Sequence, residues 1–573
     1  MLQSTILEAR RAPAVRETST AHVMLRSLAQ QGVEVAFGIP GGLISPLFHA
    51  LGDVPSLRLV STRHEAMAGF AAMGHAVATG LPALVLTTSG PGISNAITAI
   101  AAADAEELPL IVIAGEVATH AMARGAFQDA STNAIDVVAM LRTITRWSAR
   151  LEDPSAAAAF ASRALRIAMG PRPGPVFLSV PLDVGTGRVA TTAISVAPSP
   201  TPVEPDLGAS SRVAIALSRS RRPLLVIGNG ARSAARELLE LAEMLQCPVV
   251  CTAHGKGIFP DGHPLHLGVI GFGGHASASA YIESRPDVVL VVGSRLGDFA
   301  TDGWSLPLTG AEATFQIDRD GGLLGRNYPL TLGIVADAGA ALRAIAAALP
   351  SDAARPRREL PHRQAPSIAA ESDAVPLKPA RVLRALEHAF PDAFWTSDIG
   401  EHCAHVVHHV PIERPDRFRV MLGLASMGSG IGTAIGVRHA RPDLRVLCVC
   451  GDGGFAMHAG DLLTCVENRI DVVFIVFNDG RWNMVQHGFR AVYGREPDAL
   501  PSEVADLAQV ARGFGALGVR VERPGDLEPD RLRELASQGR PLVLDVRIDP
   551  TEALSVATRS AAIRRSAFAG GAS

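Results

Sequence analysis

The fold of this chain is decided by the stretch Leu444–Gly454, LRVLCVCGDGG, and by a second stretch of the same design at Ile470–Gly480, IDVVFIVFNDG. In each stretch a run of apolar residues ends abruptly in glycine and aspartate. Apolar runs of this length are typical of strands in a parallel sheet that helices cover on both faces. We therefore predict strands at Leu444–Cys450 and Val472–Phe477, each followed by a tight turn.

Apolar runs of the same kind recur along the chain with helical patterns between them, as in LPALVLTT, LPLIVIAG, RPLLVIGNG and PDVVLVVGS. Proline and charge replace this alternation at 187–210 and 351–378, which we interpret as linkers. The sequence thus predicts an α/β protein with three doubly wound parallel-sheet domains at 16–186, 211–350 and 379–555. Ligands of such sheets bind beyond the carboxyl ends of the strands, so the turns after the apolar runs are the candidate site.

Composition limits the kinds of partner. The 573 residues include 53 basic and 56 acidic side chains, spread along the chain with a formal charge of −3, so no basic patch indicates a nucleic-acid partner. The six cysteines show no CxxC or metal spacing, which fits a reducing compartment. The first residues lack the apolar core of an export signal and no run is long enough to span a membrane. We therefore expect a cytoplasmic protein that acts on a small molecule.

Two acidic side chains, Asp452 and Asp479, each stand at the second position after the end of a predicted strand. Carboxylates are hard oxygen ligands of the kind that Mg²⁺ prefers, and glycines at a strand end let backbone amides approach a phosphate closely. The pair therefore indicates a magnesium and diphosphate site. Each turn alone is equally well interpreted as an ordinary strand-to-helix connection, in which glycine and aspartate serve as turn and N-cap residues.

The GDG motif at 451–453, followed by Asn478 and Asp479, resembles the magnesium–diphosphate motif of thiamine diphosphate enzymes. The whole arrangement is most similar to acetohydroxyacid synthase (acetolactate synthase) and its relatives, in which a pyrimidine-binding, a central and a diphosphate-binding domain follow in that order. The resemblance implies that Mg²⁺ is held by Asp452, Asp479 and the carbonyl of Arg481. Aspartate at 479 replaces the commoner asparagine of the family.

Glu65, in the segment STRHEA, stands at the start of a helical pattern. A glutamate in that position is usually a first-turn charge that faces the helix dipole. The resemblance implies instead that Glu65 is the catalytic glutamate of the family, which bonds the aminopyrimidine ring and promotes loss of the C2 proton of the thiazolium. It also implies that Gln128, in GAFQDA, donates a hydrogen bond to the reacting carbonyl oxygen.

Further cofactor-binding residues are implied by the resemblance alone. Met427 would wedge between the two cofactor rings and hold them in the bent form that the reaction needs, whereas on its own it is typical of a core residue. Glu401 and His402 stand where the family has its GQH segment. The remaining predicted contacts lie in turns that follow predicted strands, or close to such turns: Pro91, Gly400, Gly453, Gly454 and Met484.

Two central-domain turns, Gly228-Asn229-Gly230 and Gly293-Ser294-Arg295, are similar to the flavin-holding domain of the family. A GxG pattern is common in any doubly wound sheet. Gly297 and Phe299 stand where the family has charged residues. FAD is therefore compatible with the resemblance but not favoured.

The resemblance also implies a homodimer or homotetramer with active sites at the subunit interface. We expect a carboligase that decarboxylates a 2-oxo acid and transfers the fragment to a carbonyl acceptor. The alternatives are a simple decarboxylase or a C–C lyase on a bulkier or aromatic substrate and, from another class, a flavin or nicotinamide protein without thiamine chemistry. Gly488 stands in place of a pocket tryptophan, Phe299 in place of an arginine and Leu43 in place of an alanine. We therefore predict that acetolactate from pyruvate is not the main product.

Overall fold

The computed structural model describes residues 17–190, 202–350, 360–361, 368–500 and 503–554. It contains three six-stranded parallel sheets in successive parts of the chain, and this confirms the predicted fold class. The domain limits themselves stay a prediction, within which all three sheets lie. No helix among the described residues is long and apolar enough to cross a membrane.

The strands of the first part are β1 (Glu17–Ser19), β2 (Val35–Gly38), β3 (Arg58–Ser61), β4 (Ala83–Thr87), β5 (Leu110–Glu116), β6 (Trp147–Arg150), β7 (Pro175–Pro181) and β8 (Arg188–Ala190). Its helices are α1 (Thr20–Ala29), α2 (Ser45–Leu51), α3 (Glu65–Thr79), α4 (Pro91–Glu106), α5 (Val137–Leu141), α6 (Ala157–Ala168) and α7 (Leu182–Thr186). The sheet order is β3-β2-β4-β5-β7-β6, and β1 pairs with β8 in a separate antiparallel ribbon.

The strands of the central part are β9 (Pro223–Ile227), β10 (Val249–Thr252), β11 (His266–Ile270), β12 (Val288–Val292), β13 (Ala313–Asp318) and β14 (Leu332–Val335). Its helices are α8 (Leu207–Arg219), α9 (Ala235–Leu245), α10 (Ala276–Glu283), α11 (Asp298–Thr301) and α12 (Ala338–Ala347). The sheet order is β11-β10-β9-β12-β13-β14.

The strands of the third part are β15 (Phe394–Ser397), β16 (Phe418–Val420), β17 (Val446–Gly451), β18 (Val473–Asn478), β19 (Leu517–Val521) and β20 (Leu542–Arg547). Its helices are α13 (Pro379–Ala389), α14 (Glu401–His409), α15 (Ser429–Ala440), α16 (Asp452–His458), α17 (Leu462–Asn468), α18 (Asn483–Tyr493), α19 (Leu507–Gly513) and α20 (Pro529–Ala536). The sheet order is β16-β15-β17-β18-β20-β19, so β17 and β18, the strands predicted at Leu444–Cys450 and Val472–Phe477, are neighbours.

Those two strands differ slightly from their predicted bounds. β17 begins at Val446 rather than Leu444, because the amide of Leu444 donates to the Arg441 carbonyl at 3.0 Å and closes a turn. β18 includes Asn478. Gly451 pairs with Phe477 across the ladder, so the turn after each strand leaves the same edge of the sheet side by side.

The first predicted linker, 187–210, is too long. Arg188–Ala190 form β8 by pairing with a segment far away in the sequence, a contact that no local pattern signals, and α8 begins at Leu207 after the N-cap Asp206. Residues 191–201 of this linker, and residues 351–359 and 362–367 of the linker at 351–378, lie outside the described residues.

The first and third parts pack through α3 and α15. A Cβ added at Gly436 would collide with the carbonyl oxygen of Ala71, and one added at Gly74 would collide with that of Thr433. The glycines therefore let the two helices approach to backbone contact, which fixes how the carboxyl edges of the two sheets are placed relative to each other.

A buried charge network joins all three parts. Glu106, at the end of α4, accepts from Arg419 of β16 at 3.2 Å, lies 3.2 Å from the ring of His254 in the central part, and accepts the amide of Gly423 at 2.6 Å. Burial raises the pKa of Glu106, but His254, Arg419 and the Gly423 amide outweigh it and lower that pKa to about 2. Glu106 is therefore an ionised junction residue.

Candidate active site

Asp452 begins α16 directly after β17, and Asp479 follows β18. Asp452 accepts the amide of Gly453 at 2.6 Å on one carboxylate oxygen and the amide of Gly480 at 2.9 Å on the other. Asp479 accepts the amide of Arg481 at 3.0 Å. The two carboxylates, predicted from sequence to share a site, are thus held together by backbone amides of the two turns.

The charges of the two carboxylates oppose each other. Burial and the neighbouring Asp452 raise the pKa of Asp479 to about 7, and burial raises the pKa of Asp452. A divalent cation between them would relieve both effects, so this donor set fits Mg²⁺. In the described part of the chain no cluster of three or more His, Cys, Asp or Glu side chains could hold a metal. The remaining ligands would therefore be backbone carbonyl, phosphate and water oxygens.

The turn after β17 has no room for side chains of its own at Gly453 and Gly454. A Cβ at Gly454 would lie 2.5 Å from a carboxylate oxygen of Asp398, and one at Gly453 would lie 2.9 Å from the indole nitrogen of Trp482. The methyl of Met427 lies 3.9 Å from each of these Cβ positions, and its side chain is 39% exposed. Two glycines at a helix start beneath an overhanging thioether fit a diphosphate beside a bent cofactor.

The segment at the start of α14 lies against the same turn. His402 is buried and its Nε2 has no hydrogen-bond partner among the described residues, and burial lowers its pKa to about 4. Its ring contacts the backbone at Gly400, where no Cβ has room, and at Gly451. The carboxylate of Glu401 is turned to His487, whose Nδ1 lies 2.8 Å away. The predicted segment therefore lies against the turn after β17, the side chain of Glu401 contacts His487, and the cofactor role of the segment stays a prediction.

Asp398, which the sequence analysis missed, lies beneath this half of the site. It is fully buried and accepts the amide of Gly428 at 2.8 Å and that of Gly430 at 3.1 Å. Burial raises its pKa to about 6, and these amides oppose the rise. Asp398 thereby fixes the start of α15 next to Met427. An aspartate immediately after β15 was the signal available in the sequence.

The predicted residues of the first part form a second group. Glu65 is the first residue of α3 and accepts from the side-chain amide of Asn95 at 3.0 Å. Pro91 is the exposed first residue of α4 and follows Gly90, whose φ is +63°. A Cβ at Gly90 would lie 3.4 Å from the Cβ of Gln128, so the turns that carry these predicted contacts meet at one edge of the sheet.

Glu116, at the end of β5, is a further residue that sequence reasoning missed. Its Oε1 accepts from Ser89 at 3.1 Å and from the amides of Val117 at 2.8 Å and Ala130 at 3.2 Å. Burial raises its pKa. The carboxyl group ties together the loops on either side of Gln128, and a glutamate ending an apolar strand was its only sequence signal.

The side chains of two predicted cofactor and metal residues, Met484 and Arg481, do not belong to either group of contacts. Met484 packs against the hydrophobic core, and the side chain of Arg481 is exposed. Among the residues that the structure describes, no hydrogen bond joins Glu65 to the third part of the chain. The contacts therefore build two half-sites, and the roles assigned to their residues stay predictions.

A cavity of ≈ 810 Å³ opens where the central part meets the other two. Gly228 and Gly293, the turns predicted from sequence, approach each other at its floor, and the amide of Gly228 donates to the Val292 carbonyl at 2.9 Å. Arg295 donates to the Ala105 carbonyl at 3.1 Å. The cavity has the size of a nucleotide site and is lined by charged side chains that include Arg295 and Arg319, although Gly297 and Phe299 in its wall carry no charge.

Comparisons with known proteins agree with this arrangement. Three family models match: the thiamine pyrophosphate enzyme N-terminal TPP binding domain over residues 18–139, the central domain over 210–345 and the C-terminal TPP binding domain over 398–546. A probable acetolactate synthase large subunit of Methanocaldococcus jannaschii is 32% identical over 93% of this chain and 92% of its own. Acetolactate synthase isozyme 3 large subunit of Escherichia coli is 30% identical over 93% of this chain and 95% of its own. An acetolactate synthase of Arthrospira platensis is 31% identical over 94% and 96%. The three matched domains, in the order and sheets described above, place the chain in the thiamine pyrophosphate enzyme family, among proteins similar to acetolactate synthase large subunits.

Proposed function

We propose that the chain is a thiamine diphosphate-dependent carboligase, which decarboxylates a 2-oxo acid and transfers the remaining fragment to a carbonyl acceptor. The observation that carries this proposal is the pair of mutually repelling carboxylates, Asp452 and Asp479, at neighbouring strand ends beside glycines with no room for side chains. The names of the similar acetolactate synthases support the reaction class.

Asp452, Asp479 and the carbonyl of Arg481 would hold Mg²⁺, whose charge removes the repulsion between the carboxylates. The turn at Gly453 and Gly454 would bind the diphosphate. His402 lies beside them as a neutral donor or acceptor, because burial lowers its pKa to about 4. Met427 would pack between the rings of the cofactor.

When bound, thiamine diphosphate supplies the carbanion chemistry that a 2-oxo acid needs in order to lose carbon dioxide. Glu65 would share a proton with N1′ of the aminopyrimidine. Gln128 would donate to the carbonyl oxygen of the substrate, from a left-handed backbone conformation (φ +60°) that Glu116 and its loops hold in place.

Two subunits would complete each site, as a homodimer or a homotetramer. Glu65 has its described hydrogen bond within the first part, while the apolar side chains of Leu424, Met427 and Met457, near the diphosphate half-site, are 47%, 39% and 63% exposed. A pyrimidine-binding domain of a second subunit would cover them.

The acceptor is proposed to be something other than a second pyruvate. A Cβ at Gly488 would meet nothing within 4 Å, so the position has open space where the family has a tryptophan. Phe299 packs edge-on against Phe272 and brings an apolar ring where the family has an arginine. The same open space favours the second candidate function, a decarboxylase or C–C lyase that acts on a bulkier or aromatic substrate.

The deciding experiment incubates the purified enzyme, with thiamine diphosphate and Mg²⁺, with a panel of 2-oxo acids and of aldehyde, ketone and aromatic acceptors. Carbon dioxide and products are both followed. A 2-hydroxy ketone formed faster than acetolactate supports the proposal, and aldehyde alone supports the decarboxylase. Acetolactate made from pyruvate alone at least as efficiently as any other product contradicts the acceptor assignment.

FAD is proposed to bind weakly or not at all, because Gly297 and Phe299 replace charged residues of the family. Protein purified without added flavin should release less than stoichiometric FAD when denatured. A cytoplasmic location is part of the same proposal.

A further inference from the structure

Glu401 forms a buried ion pair with a residue of α18. Its Oε2 lies 2.8 Å from Nδ1 of His487, and the two side chains are only 6% and 10% exposed. The other ring nitrogen, Nε2, lies 2.9 Å from the carbonyl oxygen of Pro550. One imidazole thus connects the start of α14, the middle of α18 and the segment that follows β20.

The two neighbours of this ring fix its charge. A carboxylate and a carbonyl oxygen only accept hydrogen bonds, so both contacts are made only if both ring nitrogens carry a proton. The hydrogen bond to Glu401 raises the pKa of His487, against the opposing effects of burial and of Arg490 on the same helix. Both contacts are satisfied together when His487 is an imidazolium beside the carboxylate of Glu401.

The helix that His487 anchors has few buried side chains, although Met484 in its first turn packs against the hydrophobic core. Only Gln486 and Val492 of its 11 residues are buried, and Val485 and Tyr493 are 49% and 54% exposed. At its first turn, Asn483 donates to Asp479. The middle of α18 therefore depends on the ion pair more than on apolar packing.

We propose that the Glu401–His487 ion pair positions α18, and with it the acceptor side of the active site, so that His487 is a positioning residue for the acceptor substrate. This inference rests on the proposed carboligase function. Gly488, where the family has a pocket tryptophan, is the next residue on the helix. Glutamate at 401 in place of the family's glutamine supplies the counter-ion.

The groups that face His487 make the anchor sensitive to pH. They are Glu401 from α14, Arg490 from α18 and the Pro550 carbonyl. If the ring of His487 loses one proton, it has a single N–H donor for two acceptors, the Glu401 carboxylate and the Pro550 carbonyl. The buried carboxylate of Glu401 then lacks a cation, which costs free energy. α18 should therefore loosen as the pH rises through the pKa of His487.

The test is hydrogen–deuterium exchange of the segment 483–493 in the full-length enzyme with thiamine diphosphate and Mg²⁺. His487→Gln and Glu401→Gln should each speed its exchange about tenfold or more, and the double variant should add little to either. Lys378→Gln is the matched control, because Lys378 ties Asp549 and Glu552 of the same C-terminal segment, at 2.7 and 2.8 Å, without contact to α18. It should leave exchange of 483–493 unchanged.

Two further readings separate positioning from general stability. In the unsubstituted enzyme, exchange of 483–493 corrected for intrinsic rates should be faster at pH 8.5 than at pH 6.5. In His487→Gln, KM for the acceptor should rise about tenfold while KM for the donor changes less than twofold. Unchanged exchange in both variants, or an equal rise in both KM values, overturns the proposal. If the enzyme only decarboxylates, the proposed function fails while the exchange result still decides whether the ion pair positions α18.

Discussion

The interface between α3 and α15 should be acid-labile, because it buries two histidines that prefer to be neutral. His75 is 4% exposed, and neither it nor His439 has a partner for Nδ1 among the described residues. Burial and the cation of Arg58 together lower the pKa of each from 6.5 to about 4, and His439 contributes to the shift of His75.

The direction in which stability changes with pH follows from the direction of these pKa shifts. A histidine whose pKa is lower in the fold than in the unfolded chain contributes its full stabilisation above pH 6.5 and loses it as the pH falls from 6.5 to 4. Linkage with these values gives a loss of about 2 kcal/mol per histidine between pH 7.5 and pH 5, so about 4 kcal/mol for the pair. Other buried histidines act in the same direction, so the pair must be measured as a difference between variants.

The perturbation is the double variant His75→Leu/His439→Leu, which removes both titrating groups and leaves apolar volume in the interface. Guanidinium unfolding at pH 7.5 and at pH 5.0 gives the free energy of the transition that separates the two helices. The natural chain should lose about 4 kcal/mol more than the variant on acidification. His120→Gln, which removes an exposed histidine, is the control and should not change the loss. Equal losses in the natural chain and the double variant would refute the reasoning.

Three other outcomes are expected. Asp452→Ala should abolish retention of thiamine diphosphate in equilibrium dialysis with Mg²⁺, because it removes one metal ligand and leaves the cores intact; normal affinity would remove Asp452 from the metal site. Glu65→Gln should bind the cofactor but exchange its C2 proton orders of magnitude more slowly in hydrogen–deuterium NMR, since an amide cannot supply the acid function at the aminopyrimidine. An unchanged exchange rate would contradict the catalytic role of Glu65. Lys256→Met should destabilise the protein by about 3–5 kcal/mol in denaturant titration, because it removes the cation that pairs with the buried Asp261, which keeps the Ile412 amide and the His266 ring as partners. Lys256→Met/Asp261→Asn should recover part of this loss. If the double variant is no more stable than the single one, the uncompensated charge of Asp261 is not the cause of the loss.

The sequence by itself determined the three parallel sheets and the adjacency of Asp452 and Asp479. Apolar runs such as Val473–Phe477 are buried on both faces only in a covered parallel sheet, and the carboxyl ends of parallel neighbours meet at one edge. Both inferences depend on local patterns that the chain carries whatever its remaining contacts are.

Only the tertiary structure decided which side chains pair across those elements. Glu401 belongs to a predicted cofactor segment in the sequence, but its carboxylate is turned to His487. Asp398 has the sequence signal of an ordinary strand-end residue, and the structure shows that it accepts the amide of Gly428. Periodicity tells which face of an element is buried. It does not tell which partner from a distant segment reaches a buried polar group, because packing of the whole chain sets side-chain direction, and every such group must find a hydrogen bond there.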